Sequence, residues 1–150
     1  MTEMLTYTPR PSWLRSSVLD ALVAVSTEVL KNSQQTEQDE SGFFLYDLDY
    51  LEQHLSVLMQ QDVVKLWFAV KANPVSRVLT TLAQQGFNFD VASQGELTQV
   101  LAQDIQANRI LNTGPAKSKR QLKAFLSQGV RTFVVESLNQ LHWLNQAASE

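Results

Sequence analysis

Hydrophobic residues recur along this chain with two different spacings, which divide it into two parts. Between residues 12 and 31, apolar side chains stand three or four positions apart, the spacing of one face of an amphipathic helix; they are Leu14, Val18, Leu22, Val25 and Val29. The segment 32–41 contains no apolar residue and is typical of a solvated linker. The pattern therefore predicts a helix and polar linker over 1–41 and a second domain over 42–150.

The second part alternates short β-branched and aromatic runs with helical periodicity. A run FFLYD opens it at 43–47, and four more runs follow, LWFAV, FNFDV, RILNT and TFVVE. Between them, apolar residues are spaced as on a helix that packs against a sheet. Gly86 and Gly129 end two of these helices, as left-handed C′ residues do. Strands are therefore predicted over 66–70, 87–91, 109–113 and 132–136.

The connections predict how these strands pair. No hairpin signal such as Asn-Gly lies between the four runs, so the strands are expected to pair in parallel through right-handed helical crossovers. A doubly wound sheet and a (β/α)8 barrel both satisfy this pattern, and the even spacing of the runs favours the barrel. Because a complete barrel needs about 250 residues, the predicted fold is α/β, the first half of a TIM-type (β/α)8 barrel with an amino-terminal helical extension.

Composition and charge exclude several classes of function. The 150 residues are 44% hydrophobic and 18% charged, as in a globular protein. A net charge of −3 offers no basic surface for nucleic acid or an anionic membrane. With no cysteine and only two histidines, His54 and His142, no metal centre is expected. The sequence has no recognisable targeting or transmembrane segment, which predicts a cytoplasmic protein.

Lys71 is the main candidate for catalysis. It ends the predicted strand 66–70 in the stretch LWFAVKANP, and the carboxyl ends of parallel strands are where barrel active sites are assembled. A lysine among apolar and aromatic neighbours is a candidate Schiff-base nucleophile. The alternative is an ordinary solvated lysine at a strand end.

Two carboxylates follow on the next strand and helix. Asp90 lies within the apolar run FNFDV, and a buried carboxylate requires a partner, for which Lys71, or a protonated imine formed on it, is expected. Ser93 and Glu96 stand three positions apart where a helix begins, the spacing of a capping box. For Ser93, capping is favoured over catalysis.

The remaining polar candidates carry weaker signals. Lys117, Lys119 and Arg120 follow the loop 113–115 at the start of a helix, where positive charge opposes the helix dipole. They are expected to form a solvated face, with recruitment of an anion as the alternative. His54 falls on an apolar helical stripe and is expected in a core or an interface.

Four segments together resemble a known family. FAVKANP, DVASQGEL, NTGPAKS and FVVES resemble, in order and approximate spacing, the fold-type III pyridoxal-phosphate decarboxylases, which include diaminopimelate, ornithine and arginine decarboxylases. The combination of VASQGE, GP-x-K and VES is most similar to siderophore-biosynthesis decarboxylases of the staphyloferrin B and vibrioferrin type. Alanine racemases share the barrel but carry a KANAYGHG-like block where this chain has KANPVSRV.

The resemblance carries further expectations. It implies that Lys71 forms the internal aldimine with pyridoxal 5'-phosphate and that Asp90 and Glu96 line the cofactor site. It implies a carboxy-lyase acting on an amino acid or an amino-acid-derived siderophore intermediate, and a homodimer as the full-length enzyme. It also implies that this chain is the amino-terminal half only and is inactive alone. A non-catalytic regulatory relative of the same fold is the alternative, against which the presence of Lys71 and Asp90 counts.

Overall fold

The computed structural model describes residues 14–36, 44–60, 63–115 and 117–149. The chain divides between Asp47 and Leu48 into two compact units. The domain boundary predicted near residue 41 lies outside the described residues. Across the described residues, every helix is too short or too polar to traverse a lipid bilayer.

The first unit contains one long helix. Helix α1 covers Ser16–Thr36 and so continues past the predicted end at residue 31, into the segment predicted as linker. Loss of apolar periodicity did not mark the end of the helix, because polar residues such as glutamine have a high helix propensity. Near the start of α1, Arg15 forms an ion pair with Asp47, in which Nε lies 3.2 Å from Oδ2.

The second unit begins with helix α2 and then alternates strands with helices. Its elements, in chain order, are α2 Leu48–Leu58, β1 Trp67–Ala69, α3 Ser76–Gln84, β2 Asn88–Val91, α4 Gln94–Leu101, β3 Ile110–Asn112, α5 Lys119–Ser127, β4 Thr132–Phe133 and α6 Leu138–Ser149. One-turn 3-10 helices follow β1 and precede β3, at Val70–Ala72 and Ala107–Arg109. The described part of the FFLYD run, 44–47, is neither helix nor strand.

The four strands form one parallel sheet in the order β1-β2-β3-β4. This confirms the predicted parallel pairing of chain neighbours. Each strand is shorter than predicted, and β4 has only two residues. Among the described strands, β1 and β4 each have one neighbour, whereas β2 and β3 are hydrogen-bonded on both sides.

Alternate rows of the sheet face opposite environments. One row pairs Phe68 with Phe89 and Phe89 with Ile110, and Phe89 and Ile110 are fully buried in the apolar core. The next row pairs Ala69 with Asp90 and Asp90 with Leu111, all of them half-buried. One face of the sheet therefore packs on the helices, and the other, which carries Asp90, is more open.

Glycines end two helices as the sequence predicts. Gly86 and Gly129 have φ of +92° and +91°, the left-handed conformation that glycine adopts most readily. The residue after each glycine donates its N–H back to the last helical turn, Phe87 to Leu82 O and Val130 to Phe125 O, both at 3.1 Å. These are the bonds of a Schellman cap, and they direct the chain from α3 into β2 and from α5 into β4.

Candidate active site

Lys71 lies in a turn at the carboxyl end of β1. The prediction placed it at the end of the strand itself, whereas β1 ends at Ala69 and Lys71 is the middle residue of the 3-10 turn. The turn closes with a hydrogen bond of 3.1 Å from Asn73 N–H to Val70 O, and the Val70 side chain is fully buried. The turn is thus anchored in the core, and the exposed Lys71 side chain stands on it.

Asp90 lies on the adjacent strand β2, directly opposite Ala69. Its Oδ1 atom accepts a hydrogen bond from the hydroxyl of Thr113. The expected partner was Lys71 or a protonated imine formed on it. The direct pairing is wrong for the described residues, since no ion pair joins Lys71 to Asp90, and the pairing with an imine stays a prediction. Lys71 follows β1 on one side of Asp90, while Thr113 follows β3 on the other side.

Ser93 and Glu96 shape the connection between β2 and α4. Ser93 Oγ accepts the N–H of Glu96 at 3.2 Å, which confirms the predicted helix cap. The Glu96 carboxylate accepts the N–H of Ala92 at 2.8 Å, one residue earlier than in a standard capping box. Glu96 thereby holds the end of β2 in place; the part in cofactor binding that the resemblance implies stays a prediction.

The loop after β3 contains a buried lysine. Lys117 is only 2% exposed, and its ammonium donates to the carbonyl oxygen of Gly114. The prediction of a solvated charged face is therefore wrong for Lys117, although Lys119 and Arg120 are exposed. A prediction from charge fails here because burial depends on the tertiary structure, which places the Lys117 ammonium on the Gly114 carbonyl. Ser118 caps α5 by accepting the N–H of Gln121 at 3.1 Å.

Neither histidine belongs to the site at the carboxyl ends of the strands. His54 was expected in a core or an interface. Its side chain is exposed on α2, so it does not lie in the core, and it stacks on Tyr50 with ring centroids 6.1 Å apart; the place in an interface stays a prediction. These two residues are one helical turn apart, on the flank of the buried stripe. His142 is exposed on α6 and contacts Gln146 at 3.0 Å. The described part of the chain contains no cluster of three or more ligand-type side chains able to hold a metal ion.

Two residues of the site, Thr113 and Asn112, were not predicted from the sequence. Asn112 is fully buried and its amide donates to Val91 O at 3.0 Å, tying the ends of β2 and β3 together. Thr113 follows β3, and its hydroxyl meets Asp90. The available signal was the position of Thr113, since polar residues at the ends of adjacent parallel strands lie at the same edge of the sheet.

The side chains at this edge fit pyridoxal phosphate. Its aldehyde reacts with a primary amine, and Lys71 presents one that is exposed and makes no hydrogen bond to any described residue. The second carboxylate oxygen of Asp90 likewise receives no donor from the described residues. An accessible amine on the turn after β1 suits the aldehyde of the cofactor, and a half-satisfied carboxylate on the adjacent strand β2 suits a cationic nitrogen.

Comparisons of sequence support this assignment. Residues 49–150 match the family described as pyridoxal-dependent decarboxylase, pyridoxal binding domain. The 2-[(L-alanin-3-ylcarbamoyl)methyl]-2-hydroxybutanedioate decarboxylase of Staphylococcus aureus is 38% identical over 104 residues, 68% of this chain and 26% of that protein. The diaminopimelate decarboxylase of Haemophilus influenzae is 34% identical over 120 residues, 78% of this chain and 29% of that protein.

A comparison with solved structures indicates the same family. A lysine/ornithine decarboxylase from Vibrio vulnificus, complexed with putrescine, superposes with a TM-score of 0.66 at 29% identity. The match covers 81% of this chain and 34% of that one. The chain thus spans about a quarter to a third of the proteins it resembles, and its parallel βα units correspond to part of their barrel.

Proposed function

Because this chain belongs to the pyridoxal-dependent decarboxylases, we propose that it binds pyridoxal phosphate covalently at Lys71, in an enzyme that decarboxylates an amino acid or an amino-acid-derived siderophore intermediate. One observation carries the proposal: Lys71 presents an accessible amine from an anchored turn, beside the strand that holds Asp90. Retention of both groups at one edge of the sheet favours catalysis over the alternative of a non-catalytic regulatory relative.

The residues of this chain have separate tasks in the proposed site. When bound, pyridoxal phosphate supplies an electron sink for the bond between Cα and the carboxylate carbon of the substrate. Lys71 provides the amine that holds the cofactor. The Asp90 carboxylate, half-buried on the open face, attracts positive charge to this edge more strongly than a fully solvated group would. Glu96 keeps the end of β2 in position through the Ala92 amide.

The full-length enzyme is proposed to be longer than this chain. The open face of the sheet, with Trp67, Asp90 and Leu111 half-buried, is the face that the remaining wall of a closed barrel would cover. That remainder would supply the phosphate-binding loop, the selection of the substrate and the subunit interface of a homodimer. A cytoplasmic location stays a prediction from the sequence.

For the substrate class we favour a siderophore precursor. The Staphylococcus aureus relative acts on a compound in which an alanine unit is joined through an amide to a hydroxylated polycarboxylate. The blocks VASQGE, GP-x-K and VES point to the same branch. The full-length enzyme should therefore release CO2 from an amino acid that carries such a polycarboxylate faster than from ornithine or diaminopimelate. A preference for either diamino acid would contradict this substrate class and leave the family assignment intact.

Covalent labelling tests the assignment of Lys71. The full-length protein is incubated with pyridoxal phosphate, reduced with borohydride and digested, and the pyridoxyl-bearing peptide is identified by mass spectrometry. The label is expected on Lys71. Lys65 is an internal control, because it is exposed just before β1, and the buried Lys117 is a second one. A label on either control, or on no lysine, would remove the central residue of the proposal.

The isolated 150-residue chain is expected to self-associate and to release no CO2. Its sheet has one open face and two strands with a single neighbour among those described, and unpaired strand edges favour association. Sedimentation velocity measures the association. Leu111→Lys, which places a charge on the open face, should reduce it, whereas Val63→Lys, at a 92% exposed site outside the strands, should not. A monomer that decarboxylates an amino acid would contradict this expectation.

A further inference from the structure

Asp90 is held by a hydroxyl group and not by a charge. Within the described part of the chain, its hydrogen-bond partner is Thr113 Oγ1. The torsion that turns an aspartate carboxylate about its last carbon–carbon bond is broad and weakly restrained. A single directional donor on one oxygen therefore decides which way the second oxygen of Asp90 faces.

The backbone of Thr113 is fixed independently of its own side chain. Its N–H donates to Val91 O at 3.0 Å, and its carbonyl oxygen lies 3.4 Å from the amide nitrogen of the buried Asn112. Both contacts tie Thr113 to the ends of β2 and β3. The backbone that carries the hydroxyl is thus held firmly at the edge of the sheet.

The residues after Thr113 further restrain its backbone. Gly114 has φ of +91°, and a Cβ at this position would lie 3.0 Å from the side chain of Ala92, so only glycine lets the loop approach β2 this closely. The buried ammonium of Lys117 then binds the Gly114 carbonyl. A buried lysine is costly unless it is paired. The bond between Lys117 and the Gly114 carbonyl satisfies its ammonium and holds the loop after Thr113 in one conformation.

We propose that Thr113 is a positioning residue that orients the Asp90 carboxylate toward the amine-bearing turn at Lys71. The inference rests on the proposed function, because it assigns Thr113 a part in holding the cofactor-binding edge. Hydrogen bonds to charged groups are stronger than those between neutral groups. Loss of the hydroxyl frees the carboxylate to rotate while the rest of the edge remains in place.

Three variants of the full-length enzyme test the proposal. Thr113→Val removes the hydroxyl with little change in shape, Thr113→Ser keeps it, and Thr98→Val removes an exposed hydroxyl that donates only to Gln94 O on α4. Affinity for pyridoxal phosphate, measured by absorbance titration, should fall about tenfold in Thr113→Val. The other two variants should stay within about twofold of the unaltered protein. A merely structural role would not separate serine from valine in this way.

A cofactor-free measurement separates this inference from the proposed function. The 13Cγ resonance of Asp90 should shift in Thr113→Val and remain unchanged in Thr98→Val, whether or not the protein takes up cofactor. If the unaltered protein binds no pyridoxal phosphate, the proposed function fails, and the resonance still decides whether Thr113 orients Asp90. An unchanged resonance, or equal loss of cofactor affinity in the serine and valine variants, would overturn the inference. Should Thr113→Val fail to fold, the same comparison is made between Thr113→Ala and Thr113→Ser.

Discussion

Replacement of Lys71 by alanine in the full-length enzyme is expected to lower kcat/KM for decarboxylation by about a thousandfold or more, as for other groups that act covalently. The variant should fold normally, because the Lys71 side chain is exposed and the turn beneath it is anchored by Val70. Steady-state CO2 release measures the effect. Circular dichroism and the melting temperature show whether the fold is retained.

Two further substitutions control for charge and position. Lys71→Arg keeps a positive charge but removes the primary amine, so it should be as inactive as the alanine variant. Lys65→Ala removes an exposed lysine that precedes β1 and should retain full activity. Activity of Lys71→Arg close to that of the unaltered enzyme would show that charge alone suffices, which would contradict the covalent role.

Replacement of Arg109 by methionine is expected to destabilise the protein by about 3 kcal/mol. The guanidinium of Arg109 donates to the carbonyl oxygens of Ala83, at 3.0 Å, and of Phe87. It thereby satisfies carbonyl groups where α3 ends and β2 begins, and its positive charge complements the helix dipole there. Methionine retains much of the aliphatic length and leaves both carbonyls without this donor.

Arg131 is a matched control for Arg109, because it makes similar bonds in a more exposed place. Its guanidinium donates to Leu126 O at 2.9 Å and to Val130 O at 3.0 Å, but the side chain is exposed and bonds only to nearby residues. Arg131→Met should therefore cost less than about 1 kcal/mol. Urea unfolding at a fixed protein concentration measures both variants. Equal losses of unfolding free energy in the two variants would show that the bonds from Arg109 to Ala83 and Phe87 add no more stability than the local bonds of Arg131.

Local features of the sequence were sufficient to predict the repeated architecture. Apolar spacing and the absence of hairpin signals indicated the parallel order of β1 to β4, and Gly86 and Gly129 marked two helix ends. The Ser93 cap could also be predicted, because a capping box involves residues within one helical turn. The four sequence blocks identified the family and the site residues to examine, Lys71, Asp90 and Glu96.

What the sequence could not provide was the set of contacts between segments distant in the chain. The periodicity of a strand does not say where it stops, and only the folded chain shows that Lys71 lies past the end of β1. Asp90 and Thr113 are separated by a whole helix in the sequence, so their hydrogen bond depends on the register of β2 against β3.

The burial of individual side chains also could not be predicted from the local sequence pattern. The sequence by itself determined which segments form helices and strands, because local conformation depends on residues a few positions apart. It also indicated that neighbouring strands pair in parallel, because helical connections separate them. Lys117 belongs to a charged stretch and yet is buried, while His54 belongs to an apolar stripe and yet is exposed. Only the tertiary structure decided these positions, because burial depends on which distant segments pack over a side chain.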